Sequence, residues 1–83
     1  MARTDRPQPG LGQAVRALRE RRGVTQERLA SGAGITTGTL SQIERGKSNP
    51  SWGTVKEIAK CLGASLEELA GLAEVFEERH QSH

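Results

Sequence analysis

The chain has 83 residues, a formal net charge of +2, one Cys and two aromatic residues, Trp52 and Phe76. That length suits one compact domain with a modest core, and a separate sensor or catalytic domain is not expected beside it. Two aromatics do not make a stacking platform for single-stranded nucleic acid, and a lone Cys61 excludes an internal disulfide and fits a reducing cytoplasm.

Charge is spread unevenly. Residues 1–24 carry six Arg against Asp5 and Glu20, whereas residues 64–83 carry Arg79 against five Glu. A basic front and an acidic back suit a polyanionic surface approached from one side. The opening "MARTDRPQPG" has Arg residues without an apolar stretch after them, and no 18-residue apolar run follows, so neither a signal peptide nor a membrane partner is expected. Residues 1–10, with Pro7, Pro9 and Gly10, are expected to form a loose arm.

Five helices are predicted, each of the first four closed by a glycine: Gly23, Gly34, Gly46 and Gly63. The first covers about Leu11 to Arg22, with Leu11, Val15 and Leu18 on one face. The second follows an N-cap at Thr25 and turns Leu29, Ala30 and Ala33 inward. A third starts at "TTGTLSQIERG", where Thr36 is the N-cap and Leu40 and Ile43 face the core. Thr36, Thr37, Gly38 and Thr39 are poor helix formers, which implies that the helix is anchored later and that its early face is kept for another purpose. The fourth follows Ser51 and carries Val55, Ile58, Ala59 and Leu62 at i, i+3, i+4 and i+7. The fifth opens with a capping box, Ser65 to Glu68, and continues through Leu69, Leu72 and Phe76, with Gly71 as a point of breakage or bending. No stretch alternates with period two, so the fold class is all-α and compact, with the domain at 11–79 and a flexible tail at 80–83.

The second and third helices are joined by a short Gly-containing turn. Small Ala30 permits close crossing, Gly34 supplies a left-handed turn residue, and Leu40 with Ile43 anchor the third helix. This is a helix-turn-helix pattern. With "VTQERLA", "AGIT", "LSQIERGKSNPS", "VKEIAKCLG" and "SLEEL" in this order and spacing, residues 11 to about 70 resemble the Xre/Cro-like helix-turn-helix family, which includes phage repressors and restriction-modification controllers.

The resemblance implies a five-helix, lambda-repressor-like domain that regulates transcription by binding double-stranded DNA. Its third helix would lie in the major groove, within a two-fold homodimer on a near-palindromic operator, in the cytoplasm and on the nucleoid when bound. Gln26 matches the family's Gln that contacts phosphate and braces the reading helix. Leu40, Ile43 and Glu44 point inward or sideways, which leaves Thr37, Gly38, Ser41, Gln42 and Arg45 as the candidate reader, with Thr39 placed for a phosphate contact. Gln42 is suited to adenine, Arg45 to guanine or phosphate, and Gly38 reads nothing directly and leaves close backbone approach or shape readout. Glu44 is expected to pair with Arg19, the position matching the family's Arg on the first helix.

Lys47, Ser48 and Asn49 follow the third helix and can hold phosphate. Trp52 either lays its indole N–H on phosphate or packs over the domain edge, with the first preferred. The face of Leu69, Leu72 and Phe76 either folds back onto the core or forms the dimer interface, and the second is expected. His80 and His83 lack a third ligand, so no metal or cofactor is expected. An enzyme fails on inventory, with neither a phosphate loop nor a nucleophile paired with His. A protein-interaction module, or an antitoxin-type partner acting through another protein, is the rival reading.

Overall fold

A computed structural model describes the backbone of residues 9–81 and the side chains of residues 9–79. Residues 1–8 of the expected arm at 1–10, the last tail residues and the histidine side chains lie outside these. Five helices follow in order: α1 Pro9–Arg21, α2 Gln26–Ala33, α3 Thr37–Glu44, α4 Trp52–Cys61 and α5 Leu66–Gln81. Among the described residues there is no strand.

The helix starts follow from local chemistry. Thr25, Thr36 and Ser51 stand in extended conformation and their hydroxyls accept the N–H three residues on, from Arg28, Thr39 and Thr54. Each satisfies one amide the helix cannot bond itself. Ser65 does the same for Glu68 at 2.9 Å, but the Glu68 carboxylate turns to Arg22, just past α1, at 3.8 Å instead of back to the Ser65 amide. The helix ends are equally regular. Gly34, at φ 76°, is a left-handed cap whose neighbour Ile35 donates its N–H to the Ala30 carbonyl at 3.0 Å. The three other closing glycines repeat this arrangement, with φ between 67° and 72°. A Cβ would be strained there, so glycine fixes where each helix stops.

The core is built from Ala14, Val15 and Leu18 of α1, Leu29, Ala30 and Ala33 of α2, Leu40 and Ile43 of α3, Ile58 and Ala59 of α4, and Leu62 and Leu69. Burial of each Leu or Ile contributes about 2 kcal/mol. Helix α1 is the spine, packed on α5 along one side and α3 along the other. On the α3 side the backbones touch: a Cβ on Gly12 would collide with the carbonyl oxygen of Ile43 and reach 2.9 Å from that of Glu44.

Two boundary expectations are corrected. The first helix begins at Pro9, because Pro fits the first helical position and because the Gly10 N–H is accepted by Glu77 Oε1 of α5 at 3.1 Å. Glu77 thereby places an acid at a helix start that has none in its own first turn. Gly71 does not break the last helix, which is continuous and runs to Gln81, past the expected limit at residue 79. Leu69 is only 1% exposed and belongs to the core of its own chain, while Leu72 and Phe76 are half-buried against the same core. Leu69 is thus inside its own chain, whereas Leu72 and Phe76 keep part of their surface accessible; the large apolar residue that α5 leaves exposed is Val75, at 44%.

Candidate nucleic-acid interface

Helices α2 and α3 meet across the turn Gly34–Thr36. The inner side of α3 is anchored by Leu40 and Ile43, both nearly inaccessible. Glu44, the last residue of α3, is also buried, and its carboxylate accepts three hydrogen bonds. Arg19 Nε donates to Glu44 Oε2 at 2.7 Å and Arg19 Nη2 donates to Oε1 at 3.1 Å. Gln26 Nε2 donates to Oε1 at 2.9 Å. The remaining Arg19 donor, Nη1, reaches the Val24 carbonyl at 2.9 Å. This planar, bidentate geometry is the strong form of a guanidinium–carboxylate contact. The bond to Glu44, followed by the field of that carboxylate, raises the Arg19 pKa above its ordinary value against the opposing effect of burial. The cluster ties α1, α2 and α3 together at a single carboxylate.

Gln26 thus sits where the sequence suggested, at the first position of α2, with one amide hydrogen bond spent on bracing α3. The first turn of α3 is likewise self-contained. Thr36 Oγ1 accepts the Thr39 N–H at 3.0 Å and donates to Thr39 Oγ1 at 2.9 Å. Both hydroxyls engage each other and the helix start, and Thr37 is half-buried.

Opposite the anchored side, Gly38, Gln42 and Arg45 follow one another at i, i+4 and i+7 and all are exposed, with Ser41 half-buried beside them. Arg45 makes one long contact within the chain, Nε to the Ser41 carbonyl at 3.4 Å, which leaves its other donors outward. Past it the chain turns at Gly46, and the Lys47 N–H bonds the Gln42 carbonyl at 2.9 Å. Lys47 and Asn49 are exposed and Ser48 is half-buried. Trp52 opens α4 at 63% exposure. Gln42, Arg45, Lys47 and Trp52 are therefore brought onto outward-facing surface along α3, its following loop and the start of α4.

Sequence reasoning missed two determinants of this arrangement. Gly12 sets how closely α1 approaches α3, and its only signal was a glycine inside a helical pattern with no turn around it. The start of α1 at Pro9 rests against Gly46, where a Cβ would stand 3.0 Å from Pro9 Cα, a contact with no local signature. Among the described residues no group of three or more His, Cys, Asp or Glu is placed to hold a metal, and no helix is long and apolar enough to cross a membrane.

The family model of the helix-turn-helix domain matches residues 10–72. The chain is 41% identical over 59 residues to the HTH-type transcriptional regulator YazB of Bacillus subtilis, covering 71% of this chain and 86% of that one. It is 32% identical over 73 residues to the immunity repressor protein of Bacillus phage phi105, covering 88% of this chain but 51% of the repressor. The chain thus spans about half the length of that relative. Among solved structures, the clp gene regulator ClgR of Corynebacterium glutamicum superposes with a TM-score of 0.87 at 29% identity, covering 90% of this chain and 80% of that one.

Proposed function

Because the chain belongs to the Xre-like helix-turn-helix family of transcriptional regulators, we propose that it binds duplex DNA sequence-specifically, with α3 in the major groove. The observation that carries this reading is the division of α3 into two faces. Leu40, Ile43 and Glu44 are locked into the fold, while Gly38, Gln42 and Arg45 share an exposed stripe. An α-helix held rigidly by one face and bare on the other is what a major groove admits.

Gln42 would contact a base edge, Arg45 a guanine or a phosphate, and Thr37 and Ser41 would flank them. Lys47, Ser48, Asn49 and the Trp52 indole would hold the adjoining sugar-phosphate strand. Thr36 and Thr39, whose hydroxyls are paired with each other, would contribute through the helix start more than through free side chains. Gln26 would offer its remaining amide hydrogen and oxygen to a phosphate while bracing Glu44.

The functional unit in this reading is a two-fold homodimer on a near-palindromic operator, which sets two copies of α3 about 34 Å apart, one turn of duplex. With Leu69 inside the monomer, the second copy would cover the outer edge of α5 at Val75 and the accessible parts of Leu72 and Phe76. The protein would act in the cytoplasm, where its duplex lies, and the phage relative's name supports a repressor-type role.

Selection of bound duplexes from a random pool tests the proposal. The expected product is a half-site repeated with two-fold symmetry at a spacing of one helical turn, bound with a strong salt dependence. Absence of salt-sensitive binding to any duplex at low ionic strength would refute it and favour a protein-interaction role.

A further inference from the structure

Of the ten glycines in the chain, seven are explained by the fold. The four that close α1 to α4 occupy left-handed backbone conformations. At Gly10, Gly12 and Gly32 a Cβ would press on Glu77, on the Ile43 and Glu44 carbonyls, or on the Cys61 sulfur. Gly38, Gly53 and Gly71 have neither reason. All three are exposed within helices, and a Cβ at Gly38 or Gly53 would meet no atom closer than 3.9 Å. Glycine inside a helix is destabilising relative to alanine, so the fold alone would favour a larger residue at each.

Two of the three occur in the same local construction. Thr36-Thr37-Gly38-Thr39 opens α3 and Ser51-Trp52-Gly53-Thr54 opens α4. In each, the capping hydroxyl accepts the N–H of the final Thr, at 3.0 Å and 3.2 Å, and is hydrogen-bonded to that Thr's own hydroxyl, at 2.9 Å and 3.0 Å. The capping hydroxyls and the Thr hydroxyls are thereby drawn onto their own helix, and at the exposed glycine between them no side chain covers the main chain. In sequence the two openings flank the exposed cations Arg45 and Lys47.

We infer that Gly38 and Gly53 are contact positions at which DNA packs directly against helix main chain, glycine being kept at each to admit the duplex. The inference rests on the DNA-binding reading above and adds to it two determinants that act by lacking a side chain. Gly38 heads the stripe that continues with Gln42 and Arg45, so the surface it meets is the edge of a base pair. Gly53 adjoins Trp52 beside the loop, so the surface it meets is a sugar-phosphate strand. The first therefore governs sequence preference and the second governs affinity for any sequence.

The test measures thermal unfolding and DNA binding of the full chain and of its Gly38→Ala, Gly38→Leu, Gly53→Ala and Gly53→Leu variants. The probes are a duplex recovered by the wild-type chain from a random pool and a random-sequence duplex of equal length, at one salt concentration. Both Ala variants are expected to melt several degrees higher than wild type. Both Leu variants are expected to bind the selected duplex about tenfold more weakly or worse, the scale of overpacking a close contact. Gly38→Leu should narrow the ratio between selected and random duplex, and Gly53→Leu should weaken both in proportion. Leu variants that bind within twofold of wild type, or a loss confined to one of the two positions, would overturn the inference while leaving the DNA-binding reading intact. Ala variants that melt lower than wild type would overturn it as well, since the glycines would then serve the fold. A wild-type chain that recovers no duplex from the pool would remove both readings together.

Discussion

Replacing Glu44 with Ala isolates the joint on which the α3 orientation depends. The carboxylate side chain is 3% exposed and the Arg19 side chain 12%. Its removal leaves a guanidinium in a largely dry site with its bond to the Val24 carbonyl but without its counter-ion, and leaves the Gln26 amide without its acceptor. Breaking one half of a buried ion pair costs about 3–5 kcal/mol, and the residual exposure of Arg19 places this site at the lower end, about 3 kcal/mol. For a domain of this size about 4–8 °C of Tm accompany each kcal/mol, so Glu44→Ala should lower Tm by about 12–24 °C. Circular dichroism melts of the purified chain measure this directly. The accompanying control replaces both partners, Arg19→Met with Glu44→Leu, and should cost less than Glu44→Ala alone because no uncompensated charge is left behind. The pH response is also fixed in sign. Folding raises the Arg19 pKa, so its contribution is complete below the unfolded-state value and fades only as pH climbs through the folded one. Arg19 therefore adds no pH dependence to the melts near neutrality. A Glu44→Ala protein melting within about 3 °C of wild type would refute the joint, because a shift that small corresponds to less than about 1 kcal/mol, the range of a solvated surface pair.

Three other substitutions separate fold, affinity and sequence preference. Gly12→Ala drives a methyl into the Ile43 carbonyl and should destabilise by about 2 kcal/mol or more, read from urea unfolding; an unchanged midpoint would mean that α1 and α3 are free to separate. Gln42→Ala should reduce discrimination between selected and altered operators at fixed salt by about 1–3 kcal/mol at one base pair while leaving Tm unchanged, measured by competition binding. Lys47→Ala should lower affinity for every duplex alike and reduce the slope of log affinity against log salt by about 1; a changed preference among sequences would contradict its assignment to phosphate.

Much of the fold was legible because the signals that set it are local. Thr25, Thr36, Ser51 and Ser65 each act within three residues, and the closing glycines act on the turn in which they stand. The period of Val55, Ile58, Ala59 and Leu62 was sufficient to orient α4. What escaped were features decided by distant chain segments. Pro9 and Gly10 resemble a breaker in isolation, and they are helical because α5 supplies both the surface against Gly10 and the Glu77 oxygen for its amide. The apolar face of α5 was correctly picked out, but periodicity does not say whether the same chain or a second one covers it, and α1 covers it. At the candidate interface, the exposed positions followed from Leu40 and Ile43 once their side was known. That Gln26 would share Glu44 with Arg19 depended on where α2 crosses α3, a relation written in no short stretch of sequence.

The short length of α3 has a consequence for how this protein can change. Only Leu40, Ile43 and Glu44 connect its eight residues to the interior, so the outward positions answer to almost no internal constraint. Alterations at Gln42 and Arg45 can accumulate without passing through unstable intermediates, since neither side chain supports a neighbour in the core. The outer stripe and folding are in this sense separately heritable: a library randomised at Gly38, Gln42 and Arg45 should consist mostly of folded proteins.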